Sequence, residues 1–364
     1  NLFRNSLLKL FIADESTLPL DRKDFASYHL EDINIRDHKS EKPISKKVFI
    51  RSQELPADIK SPVVVFTHGR KSSGRFFARS ARRLADSSYG VLTGDLLGMG
   101  ENGDKKLNET KLLADVKNSI LEGYKRSHGK GTVLMSHSMG TSLQAKALAQ
   151  IFEEEARTGE FKLKVNDLIL VSPWDKVAGL IQDFHYDVEK QNKIQEVMEP
   201  GDSVAGFLEK NPERAEGIAK KIFGTNWDTL DSLYRILELN KLRPPEYRLK
   251  NLNIIHGEND PYVSFHRSEN LIILLIALRE NGEEILPDAR FTLIKDGDHF
   301  DMHSSRRGLG SGFPIENIIQ VLRKKPSGVE FEEVEFKNSG SVEPKKNTPA
   351  KAKQRTVSSF SQVA

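Results

Sequence analysis

The chain has 364 residues, of which 37% are hydrophobic and 29% are charged. This length allows one large domain with an insertion or two small domains, and the composition favours a soluble globular protein. The net charge of +3 is too small to indicate a nucleic-acid partner, and the absence of cysteine excludes disulfides, thiolate nucleophiles and cysteine-bound metals. A cysteine-free chain suits either redox setting, so the compartment stays open, with a slight preference for the cytoplasm over secretion.

No stretch reaches the roughly 20 apolar residues of a membrane span, and the longest apolar run, Leu271–Leu278, is typical of a buried helix. The sequence starts at Asn1 rather than at methionine, so a signal or an amphipathic anchor ahead of it stays open. We treat residues 1–27 as an N-terminal extension.

Two early segments, Tyr28–Ile35 and Ile44–Arg51, alternate apolar and polar residues and predict an antiparallel pair at a sheet edge. After Pro62, apolar strands alternate with helices. The predicted strands are Val63–Thr67, Gly90–Thr93, Thr132–Met135, Leu168–Ser172, Leu252–His256 and Phe291–Ile294. The predicted helices are Phe76–Ala85, Lys111–Tyr124, Leu143–Glu155, Ser264–Arg279 and Ile315–Lys324. This alternation predicts an α/β fold with a mostly parallel sheet and helices on both faces.

Between residues 175 and 244 the alternation is interrupted by helical patterns. They occur around Leu180–Val197, Val204–Phe223 and Trp227–Leu239. An insertion after a strand lies over the carboxyl ends of a parallel sheet, where sites form in such folds. We therefore predict a helical lid over residues 176–248, which divides the core into residues 28–175 and 249–325. A helical elaboration packed elsewhere is the alternative.

Residues 326–364 have the composition of a disordered tail, rich in Lys, Ser, Pro, Glu and Asn. Lys345–Arg355 holds five basic residues and no acidic one. In Val329–Phe336, apolar residues are interspersed with glutamates, so this segment could add a strand or dock a partner. We favour a solvated tail, and its partner is unidentified.

The stretch most informative about chemistry is Gly131–Thr141, in which a buried-strand pattern stops at Ser138 and a helical pattern follows at once. Strand, tight turn and helix with a serine between small residues are the layout of a nucleophile elbow. The usual pattern is Gly-x-Ser-x-Gly, and here Ser136 replaces the first glycine. The alternative is that Ser138 only caps a helix.

A serine hydroxyl needs a base to take its proton and a third group to orient that base. Asp260 and His299 each follow a predicted strand, and the order Ser138, Asp260, His299 is the order of nucleophile, acid and histidine in α/β-hydrolases. Asp260 could instead be a turn residue, with Asp175 as the reserve acid. The competing histidines are His303, His256 and His68.

From about Ile44 to Lys325 the chain resembles the α/β-hydrolase superfamily, and within it the monoacylglycerol lipase and lysophospholipase group of serine aminopeptidase S33 type. Several motifs in the right order carry the resemblance. They are His68-Gly69-Arg70 with Ser73–Phe76, Gly94–Gly100 with Met99 where histidine is usual, the elbow Ser136–Gly140, the acid loop His256–Val263, and Gly297–Phe300. The resemblance implies an α/β-hydrolase fold with the lid inserted before the acid-bearing strand.

The resemblance also implies roles for single residues. Ser138 would attack an acyl carbonyl, His299 would take and return its proton, and Asp260 would orient the imidazole. The backbone N–H groups of Met139 and Arg70 would bind the oxyanion. The Arg70 side chain would face solvent or contact an anionic acyl or head group. Substrate-binding positions would be His68, Gly69 and His137, with His68 more specifically expected to shape the oxyanion loop.

The sequence therefore predicts a serine hydrolase, of esterase, lipase or thioesterase type, that acts on a small-molecule or lipid acyl ester or thioester. It predicts no cofactor and no metal. Two alternatives on the same scaffold are an acyltransferase and a peptidase, the latter using lid acids such as Glu189, Glu196 and Glu199 to hold a substrate amine. A binding protein without catalysis is the alternative from another class.

Overall fold

The fold is known from a computed structural model of the full chain. The structure describes residues 29–35, 44–50, 62–69, 72, 74–77, 80–81, 84–85, 87, 89–97, 99, 109–176, 228–260, 262–283, 285–295, 297, 299 and 326–335. For residues 29–35, 44–50, 75–76 and 335 the description covers the backbone alone.

Nine described strands form one sheet. They are β1 (His29–Ile35), β2 (Ile44–Ile50), β3 (Val63–Thr67), β4 (Gly90–Gly94), β5 (Thr132–His137), β6 (Val165–Val171), β7 (Asn251–Gly257), β8 (Asp288–Lys295) and β9 (Val329–Glu335). Their order in the sheet is β1-β2-β4-β3-β5-β6-β7-β8-β9. Strand β2 runs antiparallel to β1 and β4, and every neighbouring pair from β4 to β9 is parallel. The predicted edge pair and the mostly parallel sheet are confirmed.

Four α-helices are described: α1 (Glu109–Arg126), α2 (Met139–Thr158), α3 (Thr229–Lys241) and α4 (Phe265–Glu280). Short 3₁₀ turns cover Gly74–Phe77 and Pro245–Tyr247. Helix α2 ends at Gly159, which adopts a left-handed conformation with φ 72° and donates its N–H to the Glu155 carbonyl. Of the predicted helix Phe76–Ala85 only residues 76–77, 80–81 and 84–85 are described, and Ile315–Lys324 lies outside the described residues.

The hydrophobic core has two parts, one on each face of the sheet. Along β5, Val133 and Met135 belong to the smaller part, while Leu134 belongs to the larger part, which also contains apolar residues of all four helices. Because side chains alternate along a strand, this division shows that both faces of the sheet are covered. The parallel strands are therefore buried on both sides, as their continuous apolar sequences predict.

Helix α3 corrects the last part of the predicted lid. Its Leu233, Ile236 and Leu237 are fully buried in the larger core, where α3 packs along α2. An amphipathic helix buries its apolar stripe by packing against other apolar side chains. Because those of α3 pack in the larger core, this helix belongs to the core rather than to a lid over the strand ends. The rest of the predicted lid, residues 177–227, lies outside the described part of the chain.

Strand β9 corrects the start of the predicted tail. It pairs in parallel with β8 along its whole length, and Phe331 is buried with its ring centroid 5.1 Å from that of Phe291. The intervening glutamates are compensated by β8, since Arg290 donates to Glu330 at 2.8 Å and Lys295 lies 3.7 Å from Glu333. The alternation in this segment therefore encodes an edge strand. Residues 336–364 and the N-terminal extension lie outside the description.

Within the described part of the chain, no helix combines the length and the apolar character that crossing a membrane requires.

Candidate active site

The turn between β5 and α2 holds Ser138 in an unusual backbone conformation. Ser138 has φ 52° and ψ −127°, a combination that costs a non-glycine residue about 1–3 kcal/mol and persists only where neighbours enforce it. Its N–H donates to the Val171 carbonyl at 2.9 Å, and its carbonyl accepts from the N–H and the hydroxyl of Thr141 at 2.9 and 2.6 Å. Ser138 is partly exposed, whereas the residues on both sides of it are buried. The turn therefore lifts this one residue out of the core.

Strand and helix approach closely around this turn, which explains the glycine at position 140. A Cβ atom there would lie 2.4 Å from the Thr67 carbonyl oxygen and 2.6 Å from that of His68. At position 69, a Cβ would lie 3.0 Å from the Cβ of Ser138, so the loop after β3 borders the serine directly. Ser136 fits in the place of the usual glycine, fully buried, and its hydroxyl has no hydrogen-bond partner among the described residues.

The loops after β7 and β8 bring Asp260 and His299 together. The two strands are parallel neighbours, and the loops are joined further because Glu258 donates its N–H to the Ile294 carbonyl and Asn259 donates to that of Gly297. His299 Nδ1 lies 2.6 Å from Asp260 Oδ2, a distance typical of a charge-assisted hydrogen bond. Both side chains are at least 95% buried, and His299 Nδ1 is the donor in this pair because a carboxylate only accepts.

The Asp260 carboxylate has a donor on every side. Oδ1 accepts from the backbone N–H groups of Tyr262 and Val263 at 2.8 and 2.9 Å, while Oδ2 faces both His299 and His256. Burial alone raises the pKa of Asp260. The charge of His299 and the hydrogen bonds from His256 and His299 outweigh burial and leave the pKa well below its ordinary value. Asp260 is therefore an anion across the physiological pH range.

His137 connects the serine turn to the histidine loop. Its Nε2 lies 2.8 Å from the His299 carbonyl oxygen and so donates to it, and the two rings lie 4.6 Å apart. The Tyr262 ring lies 5.2 Å from the His299 ring in an edge-on orientation. Ser138, the residue after His137, thus lies in the same cluster as Asp260 and His299, at the carboxyl ends of β5, β7 and β8.

His68, named as a substrate-binding position and expected to shape the oxyanion loop, is fully buried. Its Nε2 accepts the N–H of Leu96 at 2.8 Å, so the ring proton is on Nδ1, which donates to the Gly69 carbonyl at 2.7 Å. The ring therefore holds the loop after β3 against the end of β4. His137 is 2% exposed and is likewise enclosed.

Of the two residues predicted to donate their backbone N–H groups to the oxyanion, the structure describes Met139 and not Arg70. Met139 is the first residue of α2, so its N–H has no acceptor within the helix and lies at the positive end of the helix dipole. Arg70 lies outside the described residues, as do His303 and the lid glutamates.

Asp175, the reserve acid, binds other groups. Its carboxylate accepts from the Asn270 amide at 2.6 Å and lies 3.6 Å from Arg267. The structure thus brings His299 to Asp260 and not to Asp175. In the described part of the chain, no group of three or more His, Asp and Glu side chains is placed to hold a metal ion.

Two features near His299 were not predicted from the sequence: the contact of His256 with Asp260, and the Tyr262 ring. The His-Gly-x-x-Asp spacing carried the signal for the first, since a histidine at the end of a strand can turn back onto an acid four residues later. No pattern marked the edge-on stacking of Tyr262 on His299, because it depends on the course of two loops.

Comparison with known proteins places the chain in a family. A family model described as "Serine aminopeptidase, S33" matches residues 59–277, more than half of the chain. The chain belongs to the serine aminopeptidase S33 family. Members of this S33 family are hydrolases, and the chain is a hydrolase of the α/β-hydrolase fold. No curated protein sequence matches the chain significantly.

Solved structures resemble this S33 family member at low sequence identity. An acylaminoacyl peptidase from Pyrococcus horikoshii superposes with a TM-score of 0.50 at 13% identity, over 84% of this chain and 43% of that chain. An esterase from Pyrococcus furiosus gives a TM-score of 0.47 at 16% identity, over 84% and 92% of the two chains. Est1E from Butyrivibrio proteoclasticus, solved with ferulic acid, gives 0.46 at 14%, over 80% and 100%. At such identities the likeness concerns the fold alone.

Proposed function

We propose that this hydrolase is a serine hydrolase that cleaves a carboxylic ester or thioester through an acyl-enzyme, with Ser138 as nucleophile, His299 as general base and acid, and Asp260 as the orienting acid. The observation that carries the proposal is the buried hydrogen bond of 2.6 Å between His299 and Asp260, together with the strained serine turn whose His137 bonds to the His299 carbonyl oxygen. A structural cap would not need either feature, since a capping serine adopts ordinary extended backbone angles.

Acylation would depend on which ring nitrogen of His299 carries the hydrogen. With Nδ1–H donated to Asp260, Nε2 is the ring nitrogen that carries a lone pair and can act as the base. Ser138 Oγ attacks the acyl carbonyl carbon while its proton passes to Nε2. The imidazolium then gives this proton to the leaving alcohol or thiol, and the acyl group stays on Ser138 as an ester. Asp260 stabilises the imidazolium in between.

Deacylation reverses these proton transfers. Nε2 takes a proton from water, the hydroxide attacks the acyl-enzyme, and the proton returns to Ser138 as the carboxylic acid leaves. In both steps the negative carbonyl oxygen would be bound by the N–H of Met139, at the helix N-terminus, and by that of Arg70. Removing one such donor typically costs about 3 kcal/mol of transition-state stabilisation.

A peptidase is the second candidate, and the match to the S33 serine aminopeptidase family favours it. The same residues would serve, with an amine as the leaving group. An acyltransferase would use an acceptor alcohol or amine in place of water, and a binding protein would lack the first step altogether.

A substrate panel separates these functions. We expect the parent chain to hydrolyse acyl esters or thioesters of at least one chain length, and Ser138→Ala and His299→Ala to lose this activity at unchanged fold. Aminoacyl amides cleaved faster than the esters would select the peptidase, and product formed only with an added acceptor would select the transferase. Absence of every turnover, in a parent chain shown to be folded by circular dichroism, would contradict the proposal.

A further inference from the structure

His256 is a buried histidine to which the proposed mechanism gives no task. It lies near the end of β7 with its side chain fully enclosed. Its Nε2 lies 3.3 Å from Asp260 Oδ2, the oxygen that also accepts from His299 at 2.6 Å. One carboxylate oxygen is thus flanked by two imidazoles, of which only His299 has a role in proton transfer to the serine.

The partners of His256 determine where its protons are. Ser268, in the first turn of α4, donates its single hydroxyl proton to the Pro173 carbonyl at 2.8 Å. The Ser268 oxygen also lies 2.5 Å from His256 Nδ1, and with its proton already used it can only accept there, so Nδ1 carries a hydrogen. On the other side of the ring, Nε2 faces the Val263 carbonyl at 2.9 Å and Asp260, both of which are acceptors, so Nε2 also carries a hydrogen.

A neutral imidazole cannot satisfy these contacts. If Nδ1 lacked its hydrogen, Ser268 would have to donate to it, and the Pro173 carbonyl would then face a lone pair at 2.8 Å. If Nε2 lacked its hydrogen, two acceptors would face a third within 3.3 Å. Buried polar groups left without partners cost about 1–3 kcal/mol each. The doubly protonated ring removes both conflicts and places a positive charge beside the buried carboxylate.

We propose that His256 is an imidazolium in the resting enzyme and acts as a positioning residue, which neutralises Asp260 so that His299 stays uncharged and available as the base. The inference rests on the proposed roles of Asp260 and His299. A cation on the far side of Asp260 disfavours a second cation on His299. The enzyme would therefore keep its base active at lower pH than it could with Asp260 alone.

Two other charged groups on the surrounding elements, Asp175 and Glu258, do not neutralise His256. Asp175, which follows the segment containing Pro173, is paired with Arg267 of α4 at 3.6 Å, and it also binds Asn270. Glu258, in the loop after β7, is exposed. Among the described residues, the titratable groups that face the His256 ring are thus Asp260 and, beyond it, His299.

Two variants remove the charge in different ways. His256→Gln keeps a donor toward Asp260 but is neutral, and its amide oxygen cannot donate to Ser268 as Nδ1–H does. Ser268→Ala leaves the ring in place and removes the acceptor for Nδ1–H. The matched control is Ser127→Ala: Ser127 is also buried, donates to a carbonyl (Tyr124) at 2.6 Å and accepts an N–H (Gly131) at 3.2 Å, but it follows α1 and has no contact with His256 or Asp260.

Activity as a function of pH is the first readout. In both variants we expect the midpoint of the acid limb of kcat/KM to move to higher pH by about one unit, because His299 then gains its inhibiting proton more readily. The control should keep the midpoint of the parent. A purely structural histidine would lower stability or kcat and leave the midpoint in place, and that result would overturn the proposal.

Nitrogen NMR of the full chain, labelled with ¹⁵N-histidine, tests the protonation without using activity. We expect one ring with hydrogens on both nitrogens at pH 7, assigned to His256 by its loss in His256→Gln. A neutral His256 ring at that pH would overturn the inference, even if Ser138 is shown to be the nucleophile. Conversely, an imidazolium at His256 in a chain without hydrolytic activity would support the protonation and contradict the proposed function.

Discussion

The Asp260–His299 pair predicts a large effect of replacing one oxygen by nitrogen. In Asp260→Asn, the side chain keeps its size, but one of its two ends becomes a donor. The Oδ1 position must remain an oxygen because two backbone N–H groups, of Tyr262 and Val263, donate to it. The new NH₂ group therefore replaces Oδ2 and faces His299 Nδ1 at about the present 2.6 Å.

Two donors cannot share that contact, so His299 adopts the tautomer with its hydrogen on Nε2. In this tautomer Nε2, the nitrogen proposed as the base, has no lone pair to accept the serine proton. An equivalent substitution in a well-known triad lowers kcat about 10⁴-fold, which corresponds to about 5.5 kcal/mol of activation free energy. We expect a loss of this order for Asp260→Asn at pH 7 to 8.

Steady-state and single-turnover hydrolysis of an activated acyl ester measures this loss. The control is Asp175→Asn, because this acid binds Asn270 and lies near Arg267 instead of binding His299. We expect the control to keep kcat within about tenfold of the parent. The reasoning is refuted if Asp260→Asn retains more than a tenth of the parental kcat, or if Asp175→Asn is the more damaging substitution.

Three further substitutions test the surrounding structure. Gly140→Ala should lower kcat/KM about 10²-fold, because its Cβ would meet the Thr67 carbonyl at 2.4 Å and displace the serine turn; parental kinetics would show that the close approach is unimportant. Arg243→Ala should lower the free energy of unfolding by about 3–5 kcal/mol in urea titrations, because it leaves the buried Glu155 carboxylate without its ion pair. The control is Arg235→Ala, which breaks an exposed ion pair between α3 and α2, and an equal loss in the two variants would contradict this prediction. Ser136→Ala should raise the free energy of unfolding by about 1 kcal/mol, since it removes a buried hydroxyl without a described partner; a clear decrease would show that the hydroxyl is bonded.

Much of the fold follows from local patterns. Continuous apolar runs such as Val63–Thr67 are typical of strands buried on both faces. All six predicted parallel strands are present, Val63–Thr67 with the predicted bounds and the others with bounds that differ by at most three residues. The placement of α3 was wrong because an amphipathic pattern states that a helix has an apolar face but not which surface covers it. In β9, glutamates read as solvated turned out to pair with Arg290 and Lys295, contacts that depend on the neighbouring strand.

The residues of the candidate site that directly follow a strand could be predicted from the sequence. The serine turn and the two loops bearing Asp260 and His299 follow from parallel topology, which brings the carboxyl ends of β5, β7 and β8 to one edge. The burial of His68 and the second imidazole on Asp260 did not follow, because both depend on which way a side chain turns at the end of a strand. Sequence patterns fix the face of a residue better than its hydrogen-bond partner.

The most direct test of the whole account is to find which residue an activated-serine reagent modifies. The parent chain would be treated with a fluorophosphonate, digested, and the adduct located by tandem mass spectrometry, with His299→Ala treated in parallel. We predict a single adduct on Ser138 in the parent and none in the variant. An adduct on another serine such as Ser136, or labelling of Ser138 that survives the loss of His299, would contradict the claim that these residues form one catalytic unit.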